Sequence, residues 1–191
     1  MALIISNAYL SQAQMTDNAQ YIADYLINKG WTRNAVAGIL GNMQRESTLN
    51  PGLWESLIYG NMSGGYGLVQ WTPATGYTSW ADARGYPWGN NYGNTTAYFN
   101  GQLECILWEV ANNQQWIATS SFNFSFSAFT RSAESPEYLA EAFMRNYERP
   151  GVLALEERRQ NARYWFENLT YGSSAVIKNA VEWAIAIAND N

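Results

Sequence analysis

The chain has 191 residues, enough for one domain with a substantial core and a fragment of a second. It has no His, one Cys and a formal net charge of -5, which excludes Ser-His-Asp and Cys-His catalysis, His-bearing zinc sites and an internal disulfide within this sequence. Such a chain gains nothing from a phosphate backbone and is repelled by anionic membranes, and it has no run long enough to span one. No nucleic acid, membrane, metal or cofactor is therefore expected.

Thr16-Asp17 reads as a helix cap, followed by Tyr21, Ile22, Tyr25 and Leu26 at helical spacing, with Gly30 as the stop. Thr32 caps a second helix that carries Val36, Ile39, Leu40 and Met43 on one face and runs to about Glu46. Residues 47–67 are rich in Gly, Asn and Ser and predict turns with a short hairpin, and 76–96 predict an irregular loop. Helical spacing returns over 102–113, where Cys105 reads as a buried, inert thiol. Ser135-Pro136 opens a further helix that stops before Pro150, and 156–168 form another. "TYGSSA" after Leu169 reads as a linker. Residues 175–188 then predict an amphipathic helix that either docks on the first domain or, the favoured reading, opens a second one. The expected division is a first domain over 1–170 and a linker with that helix over 171–191. The N-terminal "MALIISNAYLSQAQ" lacks the basic region and the apolar run of a secretory signal.

Without His, acid–base chemistry falls to carboxylates. Nine Trp and thirteen Tyr either fill an aromatic core or grip a surface that is partly apolar and partly hydroxylated, such as sugar. The second helix ends on Glu46-Ser47, where unpaired carbonyls disfavour a carboxylate. A residue at odds with its local rule points to function.

Three segments stand in order: "GILGNMQRESTLNPG", "GYGLVQWTP" and "YERP". Over roughly residues 15–170 this set resembles the lysozyme superfamily, in particular the lysozyme domain of phage tail-tip proteins. The Glu-Ser pair followed by Gly-Leu-x-Gln is also similar to goose-type lysozymes and lytic transglycosylases. The resemblance implies an α+β, predominantly α-helical domain with a small β-hairpin beside a cleft. The implied substrate is the peptidoglycan glycan strand, cut at the β-1,4 link between N-acetylmuramic acid and N-acetylglucosamine. Glu46 takes the place of the general acid, and the helix field and a partly apolar wall would favour its protonated form there.

The second carboxylate is open. Glu55 is the only other one between Glu46 and Gly67. Glu148 is a second candidate and a candidate substrate contact, although it can equally pair with Arg149. In lytic transglycosylases the sugar's own groups replace it, and the product carries a 1,6-anhydro end. Tyr147 resembles the tyrosine that closes such clefts near the catalytic Glu. Ser47, Tyr66, Gln70 and Trp71 are the remaining candidate substrate contacts. Gln70 can donate to and accept from an N-acetyl amide. Strand alternation would turn Tyr66 and Gln70 to the cleft and Trp71 to the core. A non-catalytic wall-binding module is the reading from another class. Because bacterial walls are polyanionic, an acidic enzyme needs delivery. A phage virion or a neighbouring module, such as a second wall-degrading enzyme, would supply it. The expected location is the phage tail, or the host cytoplasm before lysis.

Overall fold

The computed structural model describes residues 2–171. In chain order its α-helices are α1 (Gln12–Asn28), α2 (Arg33–Ser47), α3 (Thr75–Asp82), α4 (Thr95–Asn112), α5 (Phe126–Thr130), α6 (Pro136–Phe143) and α7 (Leu155–Asn168). The helix expected over 175–188 lies outside the described residues. The architecture is predominantly helical, as expected.

The centre is α2. Every residue from Ala35 to Met43 is buried, so this helix has no solvent face for most of its length. It packs against α1, α5, α6 and α7. Close approach is possible because two glycines face its neighbours. A Cβ on Gly41 would lie 2.5 Å from the Arg158 carbonyl oxygen, and one on Gly38 would lie 2.9 Å from Leu139 Cβ. Thr32 caps the helix as expected, accepting from the Ala35 N–H at 3.1 Å.

Other boundaries differ from expectation. Ser11 and Gln14 form a reciprocal capping box, so α1 begins ahead of Thr16. The Thr16 hydroxyl instead donates to the Gln12 carbonyl inside the helix. Asn94 caps α4, which starts at Thr95. Short α3 occupies the beginning of the segment expected to be loop, burying Tyr77, Thr78 and Ala81.

Strand pairing in the segment expected to form a hairpin amounts to two isolated antiparallel bridges, Trp54 with Tyr66 and Tyr66 with Trp71. The chain turns left-handed at Gly67 (φ 80) and again at Gln70 (φ 49), which interrupts any extended run. Buried Asn50 anchors this region. Its amide nitrogen donates to the Ser6 and Ala8 carbonyls, and its oxygen accepts from the Ser6 and Gly52 N–H groups. That clamp fixes the N-terminal arm across the point where the chain leaves α2.

Candidate active site

A cleft of about 510 Å³ opens where the end of α2, the 53–72 segment and the 147–151 turn converge. Six of the residues expected at a site line it: Glu46, Glu55, Gln70, Trp71, Tyr147 and Glu148.

Glu46 sits half-buried on the last turn of α2. Just past the helix end at Ser47, Thr48 (φ 53) and Leu49 (φ 57) are both left-handed, a backbone strain of order 1–3 kcal/mol for each non-glycine. The expected surroundings of Glu46, helix field and apolar wall, are incomplete. Arg158 of α7, only 2% exposed, donates from Nη2 to Glu46 Oε1 at 2.5 Å. The same guanidinium reaches Asn42 Oδ1 at 2.8 Å and the Leu153 carbonyl at 2.9 Å. One carboxylate oxygen is thus fixed, while Oε2 has no hydrogen-bond partner among the described residues.

Glu148 ends a π-turn over Met144–Glu148 that the Arg149 N–H closes on the Met144 carbonyl at 2.8 Å. Arg149 does not pair with it. Its guanidinium turns to the carbonyls of Gln115 and Asn146. The Glu148 residue is half-buried, but its Oε1 is enclosed and has no hydrogen-bond partner. Burial, and next the neighbouring charge of Glu46, push this carboxyl well above the usual range, against the opposing pull of Arg158.

Glu55 enters from the loop and is exposed. The Gly65 N–H donates to its Oε2 at 2.8 Å, and a Cβ on Gly64 would lie 2.7 Å from that oxygen. The paired glycines therefore make room for a carboxylate. Gln70 gives its amide hydrogens to the Leu53 and Gly67 carbonyls at 3.1 and 3.0 Å. Two carbonyl partners fix which end is nitrogen, so Gln70 offers the cleft an acceptor alone, contrary to the expectation that it would do both.

The structure corrects two assignments. Ser47 is fully buried and its hydroxyl donates to the Leu68 carbonyl at 2.9 Å, tying α2 to the loop. Tyr66 is fully buried between Trp54 and Tyr77, and its hydroxyl accepts from the Gly89 N–H. Neither touches the cleft. The alternation that turned Tyr66 outward fails because residues 66–70 are not extended. Tyr147, 1% exposed, lines the cleft floor and donates its hydroxyl hydrogen bond to Glu109 Oε2 at 2.6 Å. Trp71 lies mostly in the core as expected. It stacks on Tyr77 and donates its indole N–H to Glu109 Oε1 at 2.9 Å.

Two residues that shape the cleft were not read from the sequence. Arg158 and Glu109 both stand on the buried stripes of their helices, with Ala162 and Trp165 on α7 and with Gln102 and Ile106 on α4. A charge placed on a buried stripe is the signal that finds them. Cys105 is buried as expected, and burial pushes its thiol far up.

Glu109 carries a pH prediction. Burial pushes its carboxyl up to about 7, opposed by the bonds from Tyr147 and Trp71. An unfolded chain ionises this group near the ordinary value, so stability is complete below that value and is lost as pH rises through about 7. The full loss is on the order of 3 kcal/mol, or roughly 5–10 °C in melting temperature. Glu109→Gln cannot ionise; its oxygen still accepts from Trp71, and its amide N–H can donate to the Tyr147 hydroxyl, which reverses that bond. Thermal unfolding between pH 5 and pH 8 should fall for the wild type and stay flatter for this variant; parallel curves would refute the assignment.

The model of the phage tail lysozyme family matches residues 17–169. Morphogenesis protein 1 of Bacillus phage B103 is 50% identical over 174 residues, which cover 91% of this chain and 45% of that relative. The chain therefore spans under half of the relative's length. A match that runs from α1 to the end of α7, joined to that identity, places the chain in the phage tail lysozyme family.

Proposed function

We propose that this chain is the glycan-cleaving domain of a phage tail protein, hydrolysing the β-1,4 bond between N-acetylmuramic acid and N-acetylglucosamine in peptidoglycan. The observation that carries this reading is the gathering of Glu46, Glu55 and Gln70 at one open cleft in a chain that has no His.

Glu46 is the general acid. Arg158 fixes its orientation through Oε1, and Oε2 stays open for proton delivery to the leaving oxygen. Glu55 is the general base. It is exposed, so water reaches it, and the Gly65 N–H orients it. Two carboxylates in these roles are what hydrolysis of a glycosidic bond ordinarily requires. Gln70 Oε1 accepts from the N-acetyl N–H, which places the sugar. Tyr147 and Trp71 form the floor beneath it.

Mass spectrometry of digested, purified sacculi tests this reading. Reducing ends are expected. Products with 1,6-anhydro ends would mean a lytic transglycosylase, which needs no base, and binding without cleavage would mean a wall-binding module. Glu55→Gln should lower hydrolysis by about a hundredfold or more, with the melting temperature unchanged. A rate within a few-fold of wild type would remove Glu55 from the mechanism.

The acidic chain gains no long-range attraction to a polyanionic wall. A virion that carries it to the wall raises its effective concentration there without such attraction. The name of the B103 relative, a morphogenesis protein, fits placement in the phage particle, as does the family's tail association.

A further inference from the structure

The cleft presents more carboxyl groups than buried cations. Glu46 and Glu148 both line it. Arg158 is the buried guanidinium beside them, and its bond goes to Glu46. Arg149 is exposed and spends its guanidinium on two backbone carbonyls. Arg45 also lines the cleft but pairs with Glu157 at 3.1 Å. Glu109, the other carboxyl facing Glu148, brings no positive charge, and the Tyr147 hydroxyl donates its hydrogen bond to Glu109, not to Glu148.

One buried guanidinium balances one carboxylate. Arg149 keeps its charge, but it is exposed and pulls on Glu148 less than burial pushes against ionisation. A second ionised carboxylate would stand buried without a hydrogen-bonded partner, which is strongly disfavoured, so one of the two stays neutral. Glu46 has the guanidinium, and Glu148 has an enclosed oxygen with no donor. The neutral member at rest is Glu148.

We infer that Glu46 and Glu148 hold a single proton between them beside Arg158, and that Glu148 is the positioning residue that keeps this proton in the cleft for Glu46 to deliver. The inference rests on Glu46 being the acid of the proposed hydrolysis. At rest Glu148 carries the proton and Glu46 is ionised. No hydrogen bond joins the two carboxyls among the described residues, so the proton moves through water in the cleft. As sugar fills it, Glu46 takes up the proton and the negative charge moves to Glu148, with the total charge unchanged. Glu46 then gives the proton to the glycosidic oxygen, which also keeps the electron pair of the breaking C–O bond. Water adds to the anomeric carbon and loses its proton to Glu55. That proton returns through solvent to the carboxyl pair.

This arrangement explains how an acid can be tied to a buried Arg. An acid bonded to a buried guanidinium needs a source of protons close by in the cleft. The second carboxyl restores the proton by making two negative charges there unfavourable. Burial and the charge of Glu46 act on Glu148 in the same direction.

The test is the pH dependence of kcat/KM on soluble glycan fragments for wild type, Glu148→Gln and Glu148→Asp. Removing the second carboxyl should move the alkaline limb of Glu148→Gln down by about one pH unit or more, so the rate at neutral pH falls by about tenfold and recovers at acid pH. Glu148→Asp should restore the limb. A uniform loss at every pH, or an unmoved limb, would overturn the inference while leaving the proposed hydrolysis in place. Wild type that cleaves no glycan at any pH would instead overturn the hydrolysis. The shared proton has its own readout, which also serves if Glu148→Gln does not fold. Infrared titration in a Glu109→Gln background should show one protonated carboxyl at neutral pH, and its absence would refute the shared proton.

Discussion

Replacing Glu46 by Gln should lower hydrolysis of purified peptidoglycan by about a hundred- to ten-thousandfold, the range that a lost general acid commonly costs. The fold should survive. Gln keeps an acceptor for Arg158 Nη2, so the hydrogen bond at that position can persist without the charge. The buried guanidinium then lacks its counter-ion, and Glu148 is placed to ionise in compensation. A native circular dichroism spectrum with nearly abolished turnover is the expected pair of results. Binding to the wall should remain, since Gln70 and the aromatic floor are untouched. Activity within tenfold of wild type would remove Glu46 from the mechanism.

How far the fold could be read depended on where its local signals sat. The α2 helix was legible because Thr32 caps it and its apolar residues recur at helical spacing. The α1 start was misplaced because Thr16-Asp17 offered a second cap inside the helix, whereas Ser11 and Gln14 form the real one. The start of α4 was hidden by a run rich in Asn and Gly, in which Asn94 is the capping residue. Short α3 gave too few turns for its periodicity to stand out among polar and aromatic neighbours.

The site divides in the same way. Local motifs pointed to Glu46, Glu55, Gln70 and Glu148, and the fold brings all four to one cleft. What local patterns could not reveal were partners more than thirty residues away. Tyr147 and Trp71 both depend on Glu109 of α4, and Glu46 depends on Arg158 of α7. Tyr66 and Ser47 adjoin cleft residues in sequence, but their hydroxyls serve Gly89 and Leu68 in the interior.

Arg158 should be the most sensitive position for stability. Its guanidinium is 2% exposed and has three acceptors, from α2 and from the turn before α7. Arg158→Met would fill much of the volume, yet it would leave Asn42 Oδ1, the Leu153 carbonyl and Glu46 Oε1 without their donor. Breaking a buried pair from one side costs about 3–5 kcal/mol, because the remaining charge stays buried and uncompensated. Arg158→Lys is not a mild change, since a single ammonium cannot span three acceptors held by a planar fork. It should fall between Met and wild type. The pair can be separated from general packing by a cycle with Glu46→Gln. Removing both charges should cost less than the sum of the single changes, by roughly 1–3 kcal/mol. Urea unfolding of the four proteins measures this directly. If Arg158→Met lies within about 1 kcal/mol of wild type, or the two changes simply add, then Arg158 does not hold Glu46 in the folded protein and the anchoring of the acid must come from the end of α2 alone.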